Sequence, residues 1–324
     1  MILLAALLLF LPASPAGAFL FWGGPRYGKA EAELAAMRKA GARGDCSAVL
    51  GMADGFLALT PPPKLREEAY VYIGRCYERE GAADKAITLY KLAGELYPAN
   101  VIFSARLAQI YDQAGFYQNA VPLFLKVLAA EPGDVEANLG AARAYSALGF
   151  LGRADDFYSR TVALQDFSDT AVLEEYARCM LRKRDWKQAL FLAGKGEARR
   201  PRSPVWPLLE ARAAAGKGDY SGAVSLMEKA EALSPSRKLR LERALYLLLG
   251  GRPRRAIEAA DRELAADPSD PLASVVKAMA LYNLGERAGA ERYFKAALAG
   301  GPFTARLAAA FLPGPSRKEA GCAK

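Results

Sequence analysis

The sequence predicts an all-α protein: a solenoid of antiparallel helix pairs, about seven of them, with a degenerate pair before and a capping helix after. Three observations carry that prediction. Residues 67–100 read EEAYVYIGRCYEREGAADKAITLYKLAGELYPAN, and their skeleton of Gly74, Tyr77, Gly81, Ala86, Tyr90, Ala93 and Pro98 returns about every 34 residues, the mark of a stacked repeat. The recurring residue types are those a helix pair needs: a small residue where helices cross, a glycine at the turn, a proline where the second helix stops. Finally, 52% of the 324 residues are apolar, with Ala and Leu dominant, which is enough to bury a core.

In chain order, residues 1–18 (MILLAALLLFLPASPAGA) form an apolar run, then Pro12, Pro15 and the small residues Ala16, Gly17 and Ala18. That is the pattern of an export signal cut after Ala18. The alternative is an uncleaved anchor over residues 1–22, because about 20 apolar residues suffice to cross a bilayer. Arg26 and Lys29 behind such an anchor would hold the repeats on the cytoplasmic side. Cleavage is the favoured expectation, giving a periplasmic or secreted chain. Residues 19–28, with Gly23, Gly24 and Pro25, read as a linker.

The solenoid is expected over residues 29–312. Its opening pair is degenerate: a helix over 30–43, a turn at Gly44-Asp45, a second helix over 46–59 and a stop at Pro61-Pro62-Pro63. Terminal repeats are expected to be atypical. Seven better units start near Glu67, Val101, Val135, Thr170, Pro204, Arg237 and Pro271. Their crossing residues are Gly74, Ala108, Ala142, Ala177, Ala211, Ala244 and Ala278. Their second helices carry Ala86, Ala120, Ala154, Ala189, Ala223, Ala256 and Ala290. Arg184 replaces the turn glycine in the fourth unit, and Asp166 replaces the closing proline in the third. Residues 304–312 read as a capping helix and 313–324 as a disordered tail.

Seven in-phase copies of this skeleton resemble the tetratricopeptide repeat, over residues 29–303. The resemblance implies a right-handed superhelix whose first helices line a concave face, with a peptide or protein as the usual ligand. On that geometry, one inward position per first helix reads Arg75, Gln109, Arg143, Arg178, Arg212, Leu245 and Met279. The first five would form a polar, basic ladder for carboxylates or backbone carbonyls of an extended peptide. They could equally be a solvated face with local ion pairs, such as Arg75 with Glu78 or Glu68. Leu241, Leu245, Val275, Met279 and Tyr282 would offer an apolar anchor surface, or pack as core against the next helix.

Charge and composition narrow the function. The net charge is +9, and residues 170–260 hold 19 Lys/Arg against 10 Asp/Glu while the remainder balances. An acidic protein or peptide is the expected partner, with peripheral membrane or cell-wall association as a second possibility. Nucleic acid is disfavoured, because exposed aromatics do not interleave with the basic residues. There is no histidine, which removes the commonest general base and zinc ligand. Phosphate-binding glycine loops and metal-spaced cysteines are absent from the sequence as well. No enzyme, cofactor or metal is therefore expected; an enzyme acting on cell-wall material is the weakest alternative.

Cys46 and Cys76 fall on helices expected to be neighbours, and would be either a disulfide in an oxidising compartment or two buried thiols. Cys179 reads as a buried thiol. The expectation that follows is a non-catalytic scaffold of the bacterial cell envelope.

Overall fold

The computed structural model describes residues 25–312. The export segment, most of the linker and the tail lie outside the described residues. Those described form seventeen α-helices and no strand, in two compact units that divide between Leu148 and Gly149.

The first unit holds α1 (Pro25–Ala42), α2 (Cys46–Ala58), α3 (Pro63–Arg79), α4 (Ala83–Leu96), α5 (Val101–Gln113), α6 (Tyr117–Ala130) and α7 (Val135–Ala147). Consecutive helices are joined by turns too short for anything but antiparallel packing, and α1 also meets α3 while α5 meets α7. Two starts differ from the sequence expectation. Helix α1 begins at Pro25, so the last four residues of the expected linker are helical; α3 begins at Pro63, not Glu67. The reason is the same for both. Proline lacks an N–H, but at the first helical position that donor has no partner anyway, so proline starts a helix as readily as it stops one. Short polar caps fix other starts: the Asp45 carboxylate accepts from Ala48 N at 3.0 Å and Asp134 from Ala137 N at 2.7 Å.

The crossing positions are closed to solvent. Ala86, Ala108, Ala120 and Ala142 are each 0% exposed. Gly74 goes further: a Cβ there would come under 3 Å from the Tyr90 ring, so the phenol occupies the space a side chain would take. The Tyr90 hydroxyl donates to Glu78, and burial first, then that carboxylate, pushes its pKa up. A disulfide joins Cys46 in α2 to Cys76 in α3, with the Cα atoms 5.0 Å apart. Beside it, the Arg38 guanidinium grips the Glu68 carboxylate at 2.5 and 2.6 Å. The degenerate opening pair is thus tied to the first regular repeat twice, once covalently.

The second unit holds α8 (Leu151–Leu164), α9 (Thr170–Lys183), α10 (Trp186–Arg199), α11 (Val205–Gly216), α12 (Tyr220–Leu233), α13 (Arg237–Leu249), α14 (Pro253–Ala266), α15 (Pro271–Asn283), α16 (Arg287–Ala297) and α17 (Pro302–Ala309). Here first helices again pack on the next first helix: α9 on α11, α13 on α15, α15 on α17. Where the repeat lacks its glycine, Arg184 takes the left-handed conformation itself, at φ 64°. Where it lacks its proline, Asp166 and Phe167 both turn left-handed, at φ 48° and 52°, and Arg199 donates to the Asp166 carbonyl at 2.9 Å. Ala193 sits where earlier repeats carry an aromatic, and in this repeat and the next, two tryptophans pack over glycines. Trp206 of α11 covers Gly196 of α10, and Trp186 of α10 covers Gly216 of α11. The capping helix begins two residues before the expected 304 and ends at Ala309.

Candidate functional site

The five ladder positions fall in both units, three in the first and two in the second, and each unit treats them in its own way. In the first, Arg75 is exposed on α3, and the two carboxylates considered for it bond elsewhere: Glu68 holds Arg38 and Glu78 accepts from Tyr90. Gln109 is half-buried on α5, where its amide donates to Glu136 at 2.9 Å and its oxygen accepts from Arg106 at 3.2 Å. Arg143 is exposed on α7.

In the second unit, Arg178 is exposed and pairs along its own helix with Glu174 at 2.5 Å. Arg212 does something different. Its guanidinium meets the Glu242 carboxylate through two hydrogen bonds, at 2.8 and 2.9 Å, and the Tyr246 hydroxyl donates to the same carboxylate at 2.8 Å. Burial raises the Glu242 pKa, but the Arg212 contacts outweigh it and hold the carboxyl below its usual range. Arg212 is correspondingly pushed up, chiefly by its bond to Glu242. This guanidinium is therefore a fixed cross-repeat strut rather than an open rung.

That strut lies beside a groove. Helices α13, α15 and α17 enclose a cavity of about 330 Å³ lined by Leu241, Leu245, Leu272, Val275, Met279, Phe303 and Leu307, with Lys238, Glu242 and Tyr246 as its polar members. Leu241 and Val275, only 2% and 1% exposed, make the floor, and the half-buried Leu245 and Met279 make the walls. Phe303 is 72% exposed, so an aromatic face stands at the mouth unprotected. The groove follows from the sequence locally: Leu241 and Leu245, like Val275 and Met279, are four apart and share one helix face. Tyr282 is not part of it. It packs edge-on against Phe311 with ring centroids 5.3 Å apart, in a separate depression with Phe294 and Leu312.

Sequence reasoning brought four of the groove residues together and missed the third wall, because α17 is too short to show a repeat. It also missed the Arg212–Glu242 strut, although a signal was present. Arg38–Glu68, Cys46–Cys76 and Arg212–Glu242 are all 30 residues apart, one repeat less one helical turn.

Among the described residues, no cluster of His, Cys, Asp and Glu is placed to hold a metal ion. Among them too, no helix is long and apolar enough to cross a membrane.

The tetratricopeptide repeat family model matches residues 106–169 and 208–271. Among solved structures, the chain is similar to a tetratricopeptide repeat protein from Parabacteroides merdae, at 17% identity and TM-score 0.59, over 76% of this chain and 99% of that one. It is similar to PilW, a type IV pilus biogenesis factor, at 16% identity and TM-score 0.51, over 65% of this chain and 97% of that one. YrrB, a repeat protein with an unusual peptide-binding site, shares 18% identity at TM-score 0.50, over 53% of this chain and 88% of that one. A curated relative, the BBSome complex member BBS4 of Bos taurus, is 35% identical over 72 residues, which span 22% of this chain and 14% of BBS4. The structural likenesses speak for the fold.

Proposed function

Because the chain is a tetratricopeptide-repeat protein, we propose that it is a non-catalytic scaffold of the bacterial cell envelope that holds a segment of a partner protein against its first helices. The observation that carries this reading is the open apolar groove of α13, α15 and α17. An apolar side chain of the partner seats between Leu245 and Met279, with Phe303 covering it. Polar groups along the same segment meet an exposed first-helix arginine of the same unit, Arg178. Two observations support the envelope setting: the leader-like residues 1–18, and a disulfide at Cys46–Cys76, a bond that persists where the surroundings oxidise.

Panning the full-length protein against a random peptide library tests the binding reading. Enriched peptides are expected to share one large apolar residue, and L245D or M279D should weaken them by at least about tenfold, since an anchor side chain in such a pocket is worth about 2 kcal/mol or more. Peptides that bind both variants as well as the parent would remove the groove from the site. The envelope reading is tested separately, by intact mass of the protein from a native host: a chain beginning near Phe19 supports it, and an intact residue 1–22 segment overturns it in favour of a cytoplasm-facing anchored adaptor.

A further inference from the structure

A second cleft lies on the other side of the same repeats, between the second helices α12 and α14 and above α13. It encloses about 240 Å³ and, unlike the apolar groove, is lined mainly by polar groups. Four arginines reach it: Arg243, Arg252, Arg255 and Arg262. Two carboxylates, Glu228 and Glu258, reach it as well. The charges do not cancel evenly. Arg243 is engaged by Glu231 at 2.8 Å and Glu228 at 3.5 Å, and Arg262 donates to the Glu258 carbonyl at 3.3 Å. Arg252 and Arg255 are exposed and take no part in any of the ion pairs found among the described residues.

The backbone adds to this positive charge. Helices α10 and α12 are capped by Asp185 and Asp219, whose side chains accept from the first free N–H groups. The corresponding cap of α14 is Arg252, whose side chain makes no cap hydrogen bond, and the first turn of α14 contains no acidic residue. Helix N-termini ordinarily collect negative charge; this one collects Arg252, Arg254 and Arg255. Ser221 and Ser225 put hydroxyls on the opposite wall. Forked guanidinium donors with hydroxyls beside them suit the several oxygens of a phosphate group better than a single carboxylate.

We propose that this cleft binds a phosphate group, carried by an anionic lipid headgroup or by a small soluble phosphate, with Arg252 and Arg255 as its principal ligands. The site is separate from the apolar groove and does not depend on the function proposed for that groove.

The full chain is titrated with inorganic pyrophosphate, and in parallel sedimented with phosphatidylcholine vesicles made with and without phosphatidylglycerol. The R252Q/R255Q pair is compared with R200Q/R202Q, which removes the same charge from the exposed turn between α10 and α11. Loss of pyrophosphate binding by about tenfold or more in R252Q/R255Q, against less than about twofold in R200Q/R202Q, supports the site. Added retention on phosphatidylglycerol vesicles that the first pair abolishes identifies the lipid as the source; pyrophosphate binding without it identifies a soluble phosphate. Equal losses in the two pairs mean general charge attraction and overturn the proposal. So does the absence of binding to either probe, or binding that R252Q/R255Q leaves intact. Matched melting curves establish that both pairs fold.

Discussion

The two units are built on one repeat and closed by different means. Described residues 25–148 balance at 14 Lys/Arg and 14 Asp/Glu, whereas residues 149–312 hold 27 against 20. The whole charge excess of the described chain is therefore in the second unit. The first unit joins its weakest pair to the array by a covalent bond, Cys46–Cys76, together with one ion pair, Arg38–Glu68. The second relies on ion pairs, across repeats at Arg212–Glu242 and Arg237–Asp270 and between the two helices of one repeat at Arg240–Glu263. The comparison separates two jobs that a solenoid has to do. Apolar crossings decide that helices stack, and they are alike in both units; the polar ties decide which repeat follows which, and they are not.

The largest expected effect tests the crossings. Trp206→Ala should destabilise the second unit by about 3–5 kcal/mol, because Trp206 is 2% exposed and fills the space over Gly196. Urea unfolding followed in both units measures it; a loss below about 1 kcal/mol would show that the tryptophan exchange between α10 and α11 is ornamental. Next comes the covalent tie. Replacing Cys46 and Cys76 together by alanine should cost about 2–4 kcal/mol, confined to the first unit and seen as faster hydrogen exchange in α1 and α2. Uniform acceleration throughout the chain would contradict the division.

Breaking one ion pair comes third. Arg212→Ala leaves the half-buried Glu242 carboxylate without its guanidinium and should cost about 2 kcal/mol, whereas Arg178→Ala, which frees an exposed pair within one helix, should cost less than about 0.5 kcal/mol. If the two variants melt together, the struts carry no more than surface pairs do.

Acid then compares the units directly. Glu242, Glu263 and Asp267 in the second unit, and Glu68 in the first, all have carboxyls held below their usual range. For Glu263 and Glu68 the leading cause is the partner guanidinium; for Asp267 it is the Ser269 hydroxyl; for Glu242 the Arg212 contacts overcome burial. A lowered folded pKa means stability that is present above the ordinary carboxylate range and lost as pH falls through and below about 4. The second unit should therefore soften first on acidification. Circular dichroism at falling pH, with Glu242→Gln as the comparison, reads this out, and a first unit that melts earlier would reverse the ranking.

How much of this was legible from residues follows the same line. The crossings were: every alanine the repeat marked, from Ala86 to Ala290, is at most 1% exposed, because an apolar residue in a fixed register has only one place to go. The helix starts were less so, since proline serves both ends of a helix and Pro25 and Pro63 used the other one. Left-handed Arg184 was visible only as a missing glycine; the residue type gives no hint that it adopts that conformation. Of the candidate site, Leu241, Leu245, Val275 and Met279 were found as a face, and Phe303 was not, because the wall it belongs to lies beyond the last repeat. Arg212 was read as a rung, whereas its partner one repeat on makes it a strut. Long polar side chains choose between solvent and several neighbours, and spacing alone does not decide among them.

The 30-residue ties have a consequence for how such an array can change over time. A solenoid made only of identical crossings could gain, lose or reorder repeats freely, as beads on a string. Here each of several repeats carries one half of a matched pair and its neighbour the other: Cys46 needs Cys76, Arg38 needs Glu68, Arg212 needs Glu242. Moving one repeat would strand a charge or a thiol against a stranger. The order of the repeats is thereby written into their flanks, as notches are cut into a set of numbered timbers.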